Sequence, residues 1–360
     1  MSFGPSAGLV LPGGGARGAY QVGVLKSIAA LLDSVEVPFK TIAGISAGSI
    51  NASFLAQRAD HFEEAVEHLE ALWSGLRTED VFTNDFSAFQ GLLSKENTLA
   101  SFLDNAPLRE WLEREFDSGG VARGIAGGHL TGLAITASNF TTGEATTFFE
   151  AREGTLPWHH PRRDSVATRI EPEHILASSA LPLLFPPELV GSDYFVDGSL
   201  RMTEPLAPVI NMGADRILVI GVRNEQLASD RPETAPGLAA IAGYTLDSLF
   251  SENLNNDIER MEQINTLLSQ MSWLGRRKSK WRRIRVMVIR PSVDLRVLAS
   301  RFTVQLPRSF RLFLRTMGGW GHDWRLPSFL LFESAYTTSL MELGYRDGLK
   351  LRPQIEAFYA

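Results

Sequence analysis

The sequence predicts a three-layer α/β/α fold around a mostly parallel central sheet, and three observations carry that expectation. Strand-like and helix-like segments alternate along most of the chain. Several strand candidates are apolar throughout, as strands covered on both faces of a parallel sheet are. The turns richest in glycine and serine fall directly after such strands, at the sheet edge where α/β proteins bind ligands.

Ala7-Gly8-Leu9-Val10-Leu11 reads as a buried strand and Gly18 to Leu32 as the helix after it. The apolar Phe39-Lys40-Thr41-Ile42-Ala43 reads as a second strand, with helical spacing from Ser49 to Ala56. Phe62 to Leu76 is helical, and a further pair of segments lies between Thr98 and Phe116. His129 to Ala137 reads as a strand, followed by a hairpin-like turn at Thr142-Gly143-Glu144 and a short strand at Thr147-Phe148-Phe149. Glu171 to Ala180 is helical, Tyr194-Phe195-Val196 is a short strand, and Arg216 to Val222 is a buried one. Beyond it the chain is more helical, from Leu238 to Leu274 and from Ser328 to Leu343, with a strand candidate at Ile284 to Ile289. The breaks at Ser229–Pro236 and Arg276–Arg283 are too short for linkers. Residues 1–360 therefore read as one domain, with a catalytic core over about 7–222 and a helical C-terminal extension over about 236–360.

Hydrophobic residues make up 44% of the chain and charged ones 21%, enough for a sizeable core in a soluble protein. A net charge of −6 argues against nucleic acid as a partner. The absence of cysteine excludes disulfides, thiolate metal sites and a cysteine nucleophile, and it fits a reducing compartment. Met1-Ser2-Phe3-Gly4-Pro5 has neither a basic nor a long apolar region of a signal peptide. No stretch reaches the roughly 18 apolar residues of a membrane span, so the expected location is cytoplasmic, with any membrane contact peripheral.

Gly44-Ile45-Ser46-Ala47-Gly48 is a Gly-x-Ser-x-Gly pentapeptide set between a strand and a helix, the context of a nucleophile elbow. Its glycines permit the cramped turn that exposes the serine hydroxyl at the sheet edge. The alternative is an ordinary tight turn with Ser46 as the helix N-cap. Gly13-Gly14-Gly15-Ala16-Arg17-Gly18 likewise follows a strand and opens a helix, so its N–H groups suit an anion. An oxyanion hole uses such a loop. Dinucleotide binding also does, but it wants an acidic residue at the end of the second strand, where this chain has Gly44-Ile45-Ser46 and Glu36 comes too early.

Asp197-Gly198-Ser199 follows the short apolar Tyr194-Phe195-Val196. Alone it reads as a turn. However, the glycine loop, Ser46 and Asp197 all follow C-terminal ends of predicted strands, which share one edge in a parallel sheet. A serine hydrolase ordinarily uses a histidine base. None of His61, His68, His129, His159, His160, His174 and His322 ends a late core strand, which points to a serine activated by an aspartate alone.

These three motifs, in this order, resemble the patatin-like phospholipases, especially the bacterial ones. The resemblance extends through Ala177-Ser178-Ser179-Ala180-Leu181-Pro182, Phe185-Pro186 and Gly213-Ala214-Asp215-Arg216, covering at least Leu9 to Val222; Tyr336 to Phe358 is similar less specifically. It implies the patatin-like form of the predicted fold and a Ser–Asp dyad, with Ser46 as nucleophile and Asp197 as base. Gly14 and Gly15 would donate to the oxyanion and Arg17 would add positive charge, with Gly13, Gly18, Gly44, Gly48 and Gly198 as motif glycines. The implied activity is hydrolysis of acyl esters of phospholipids or lysophospholipids, with no cofactor or metal. A general carboxylesterase or neutral-lipid lipase is the alternative within chemistry, and a non-catalytic lipid- or dinucleotide-binding module the alternative outside it. The chain departs from the family pattern at Ser199 and at Thr203-Glu204, which bears on the pocket near Asp197.

A basic run, Arg276, Arg277, Lys278, Lys280, Arg282, Arg283 and Arg285, surrounds Trp273 and Trp281. Transient contact of Trp273–Arg285 with an anionic membrane suits this composition, and so does a solvated loop before a strand.

Overall fold

The computed structural model describes residues 6–83, 101–224, 235, 237–316 and 324–359. Among them nine strands form one sheet: β1 (Ala7–Leu11), β2 (Thr41–Ile45), β3 (Gly132–Asn139), β4 (Ala145–Ala151), β5 (Arg163–Ala167), β6 (Glu188–Val190), β7 (Asp193–Asp197), β8 (Arg216–Ile220) and β9 (Arg285–Ile289). The spine runs β5-β4-β3-β2-β1-β8-β9, parallel from β3 through β9, with β4 antiparallel to β3. Every residue of β1, β2 and β3 is buried, as their apolar sequences require with helices on both faces. The fold is thus the mostly parallel α/β/α arrangement expected.

The second strand is displaced from the predicted Phe39–Ala43 to Thr41–Ile45, so it ends on the residue before Ser46, and the helix after it starts at Ala47. β5 and β6 escaped prediction because each is partly exposed and mixed in polarity, as edge strands are. A helix at Ser118–Ala126 was missed because its three glycines are poor helix formers. Of the segments expected between Thr98 and Phe116, one helix is seen, Ala106–Glu115; residues 98–100, most of the Ser229–Pro236 break and His322 lie outside the described residues.

The short strand Tyr194–Val196, extended to β7, takes an unexpected place. β4 occupies one edge of β3 along its whole length, and β2 occupies the other edge up to Thr136. β7 takes up that second edge where β2 leaves off, pairing antiparallel through Ala137, Ser138 and Asn139. β2 and β7 therefore run head to head beside β3, and their C-terminal ends meet.

The C-terminal part is built into the same sheet. From β8 the chain passes through a long helix, Leu238–Gln270, and returns to lay β9 parallel on β8. The helix Ser334–Lys350 lies on the first helix, Ala19–Leu32, at backbone contact: a Cβ on Gly344 would stand 2.2 Å from the Tyr20 carbonyl oxygen. Among the described residues no helix is long and apolar enough to cross a membrane. The basic run leads into β9 at its N-terminal end, where Arg282 donates to the Ile210 and Ala214 carbonyls just ahead of β8 (both 2.8 Å). Trp273 and Trp281 are exposed there, at the sheet edge opposite to Ser46.

Because Gly344 meets backbone that cannot move aside, Gly344→Val should cost at least the ~1–3 kcal/mol of an overpacked core. Chemical denaturation should show a lowered midpoint, and an unchanged one would contradict the close helix crossing.

Candidate active site

Ser46 sits between β2 and the helix Ala47–Ala56 with φ 54° and ψ −132°, a left-handed backbone that a serine adopts only under constraint. The constraint comes from both sides. A Cβ on Gly48 would lie 2.0 Å from the Leu11 carbonyl oxygen and one on Gly44 2.4 Å from that of Gly48, so the turn closes only on glycine. The Ser46 side chain makes no capping bond to its helix, so it is not an ordinary N-cap. Its backbone N–H donates to Ser178 Oγ (2.9 Å), and that hydroxyl donates to the Thr136 carbonyl (2.7 Å).

Asp197 ends β7 and is fully buried. Its N–H donates to the Ala180 carbonyl (2.8 Å), its own carbonyl accepts the Ser138 hydroxyl (2.8 Å), and its Oδ1 accepts the Ser199 N–H (2.8 Å). Burial pushes its carboxyl up to about 6, which the hydroxyls of Ser46 and Ser199 only partly counter. The Ser46 hydroxyl is thus close enough to act on that carboxyl, while Oδ2 remains buried with no partner in full hydrogen-bond geometry. A Cβ on Gly198 would lie 2.0 Å from the Thr136 carbonyl, which keeps the turn after Asp197 flat against β3.

The glycine loop lies against the serine: a Cβ on Gly13 would stand 2.8 Å from that of Ser46. Gly15 has φ +52° and approaches the Phe329 carbonyl too closely for any side chain. Gly18 packs under Trp73, and its carbonyl accepts the Asn51 amide (3.0 Å), which fixes the loop to the helix after Ser46. Among the described residues no acceptor takes the N–H of Gly14 or Gly15.

Arg17 does not stand ready for an oxyanion as expected. It is buried, its Nη1 donates to Asp247 Oδ1 (2.8 Å), its Nε and Nη2 donate to Ser328 Oγ (3.0 and 2.6 Å), and its guanidinium lies 3.8 Å from the centre of the Phe329 ring. Its charge is already matched by Asp247. The residue clamps the glycine loop to the long helix and to the short helix Arg325–Leu330.

No histidine among the described residues hydrogen-bonds to Ser46 or Asp197. His61 pairs with Asp60, His129 with Glu36 and His159 with Asp164, while His174 Nδ1 accepts the Glu171 N–H (3.0 Å). Burial lowers the pKa of His68 and of His174. Glu204, one of the family departures, faces Arg163 and Arg260. Among the described residues no group of acidic and histidine side chains could hold a metal ion.

Sequence reasoning missed the part played by Ser178 and Ala180, which hold the backbone N–H groups of Ser46 and Asp197. The signal was present in Ala177-Ser178-Ser179-Ala180-Leu181-Pro182, which carried a resemblance but no chemistry of its own.

The structure thus sets a strained serine on a strand–helix elbow opposite a buried aspartate and beside a glycine loop. Residues 9–210 match the model of the patatin-like phospholipase family, and the chain belongs to that family. A 57-residue stretch is 47% identical to lysophospholipase nte1 of Aspergillus terreus; it is 16% of this chain but only 4% of that protein. Among solved structures, human GIVD cytosolic phospholipase A2 aligns with a TM-score of 0.47 at 11% identity, over 99% of this chain and 60% of that one. VipD from Legionella pneumophila aligns with a TM-score of 0.38 at 14% identity, over 97% of this chain and 67% of that one.

The raised pKa of Asp197 has a consequence for stability. Between the ordinary carboxylate value and about 6 the folded protein holds a proton that the unfolded chain has lost, so stability falls as pH rises through that window. Asp197→Asn removes this loss. The variant should melt on the order of a few degrees above the parent at pH 8, with the gap closing toward pH 4. Asp257, also raised to about 6 by burial, titrates in both proteins and cancels from the comparison. A gap independent of pH would contradict the buried, ionisable Asp197.

Proposed function

We propose that this chain hydrolyses acyl esters of phospholipids, lysophospholipids above all, through a dyad of Ser46 and Asp197. The observation that carries the reading is the head-to-head meeting of β2 and β7, which brings an uncapped serine and a buried, partnerless carboxylate oxygen together. In this reading the Ser46 hydroxyl gives its proton to Asp197 Oδ2 as Oγ attacks the acyl carbonyl. The negative charge on the carbonyl oxygen is met by the free N–H groups of Gly14 and Gly15. Asp197 then returns the proton to the leaving alcohol, which leaves an acyl ester on Ser46. Asp197 next takes a proton from water as it attacks that ester and passes it to Ser46 Oγ as the fatty acid departs, which restores both residues. Arg17 serves as the clamp that holds the donor loop.

The preference for one acyl chain has two supports. The fungal protein that shares the 57-residue stretch is named a lysophospholipase. The basic run with Trp273 and Trp281 suits an anionic membrane, at about 1 kcal/mol per basic residue near its surface. Docking through it turns Ser46 away from the bilayer, since the two lie at opposite sheet edges. A single acyl chain is held in a membrane only marginally and reversibly, so a lysophospholipid reaches such a site unaided.

A fluorophosphonate probe should label Ser46, as peptide mass spectrometry can show. Asp197→Asn should lower kcat by ~10²–10⁴, while each histidine replaced singly leaves most activity per folded molecule. In a panel of lysophospholipid, diacyl phospholipid and triglyceride, the lysophospholipid should give the highest kcat/KM. Label away from Ser46, or a histidine variant as impaired as Asp197→Asn, would refute the dyad. A triglyceride preference would favour the neutral-lipid lipase.

A further inference from the structure

Beside the glycine loop lies a narrow, open-mouthed cleft, with interior room for about one water, whose charge the proposed chemistry leaves unused. Its walls include Pro12, Arg17, Val222, Arg223, Phe250 and Arg290. Phe250 and Val222 join it to the nucleophile. A Cβ on Gly13 would stand 2.4 Å from the Phe250 ring and 2.8 Å from the Cβ of Ser46, and one on Gly14 would stand 2.7 Å from Val222. The cleft is thus one layer of side chains away from Ser46, at the same sheet edge.

Two arginines reach it from neighbouring strands. Arg223 follows the end of β8 and Arg290 follows β9 directly, and the long helix steadies both. Arg223 Nη1 donates to Ser251 Oγ (3.0 Å) and Arg290 Nη2 donates to Asn255 Oδ1 (2.6 Å). Residues 251 and 255 are four apart on one helix face, so the two guanidinium groups are pinned one turn from each other. Each keeps further N–H donors beyond that bond.

The charge is unbalanced. Among the lining residues three guanidinium groups, those of Arg17, Arg223 and Arg290, face one carboxylate, that of Asp247. Asp247 is already engaged by Arg17 at 2.8 Å, while Arg223 stands 4.0 Å from it and keeps 37% of its side chain exposed. A local excess of two positive charges in a chain of net charge −6 calls for an anion. Forked guanidinium donors fit the oxygens of a phosphate better than a point charge does.

We propose that Arg223 and Arg290 form a subsite for the phosphate group of the lipid substrate's glycerophosphate head. The subsite holds the phosphate at the mouth of the narrow cleft, at the ends of β8 and β9, with the rest of the head outside it, while the acyl carbonyl lies between Ser46 and the glycine loop. It rests on the hydrolase reading for its role, but phosphate binding itself requires no catalysis.

The test uses the full chain and its Arg223→Gln/Arg290→Gln variant. Titration calorimetry with sn-glycero-3-phosphocholine should show binding that the variant weakens at least tenfold. Inorganic phosphate forms the second arm. With lysophosphatidylcholine the variant should raise KM severalfold more than it lowers kcat. Its loss in kcat/KM should exceed its loss toward p-nitrophenyl butyrate at least tenfold. Arg223→Lys, which keeps the charge but not the fork, should fall between and guards against a misfolded double variant. Equal binding of the head group by parent and variant, or equal losses on both esters, would overturn the subsite. Tight inorganic phosphate with no binding of the glycerophosphate would overturn its assignment to a lipid head. Should no ester be cleaved while the arginines still govern glycerophosphate binding, the subsite stands and the hydrolase reading falls. Cleavage with binding indifferent to the arginines gives the reverse.

Discussion

The site depends on the way one edge of β3 is shared. β2 pairs with it up to Thr136 and β7 pairs with it from Ala137, in opposite directions, so the chain ends of both strands meet on a single backbone. A meeting of this kind leaves two unpaired strand ends in the middle of a core, and buried N–H groups there need partners. The turn at the end of the helix Pro172–Ser179 supplies them, with Ser178 Oγ taking the Ser46 N–H and the Ala180 carbonyl taking that of Asp197. Five residues, Ala137 and Ser138 with Thr136, Ser178 and Ala180, thereby set Ser46 and Asp197 in register without engaging the side chain of either.

The same economy of partners explains the carboxylate. Asp197 lies under a complete layer of protein, so its charged form loses hydration, and only local hydroxyl and N–H groups compensate. No arginine or lysine is spent on it. Arg17, the nearest conspicuous cation in sequence motifs, is neutralised by Asp247 instead. Breaking such a buried pair leaves an uncompensated charge, which is destabilising by several kcal/mol, so the pair ties the glycine loop firmly to helices more than two hundred residues away. The C-terminal helices thus hold the glycine loop in place beside Ser46.

Much of this was legible in the sequence, and the rest was not for definite reasons. β1 and β8 and the first helix stand out because strands buried on both faces must be apolar and helices must cover them, while β9, a partly exposed edge strand, stands out by its apolar run alone. The elbow was legible because only Gly-x-Ser-x-Gly closes that turn. The motif pattern predicts β7 as one more parallel strand ending beside Ser46, whereas it arrives antiparallel and end-on. Strand direction is a tertiary fact that three apolar residues do not encode. The role of Arg17 was misjudged because Asp247 and Ser328, its partners, lie far along the chain, and nothing local distinguishes a cation matched by a distant carboxylate from one left free. β5 went unseen because an edge strand such as Arg163–Ala167 needs little apolar sequence.

The pH dependence of the rate at which a fluorophosphonate labels Ser46 tests the central claim most directly, because it reads the base through the nucleophile without substrate binding or product release. The account predicts a rate that rises tenfold per unit up to about pH 6 and then levels, with the rise abolished and the rate low throughout in Asp197→Asn. A rate that is flat across this range, or a rise that survives Asp197→Asn and vanishes on replacing a histidine, would contradict it.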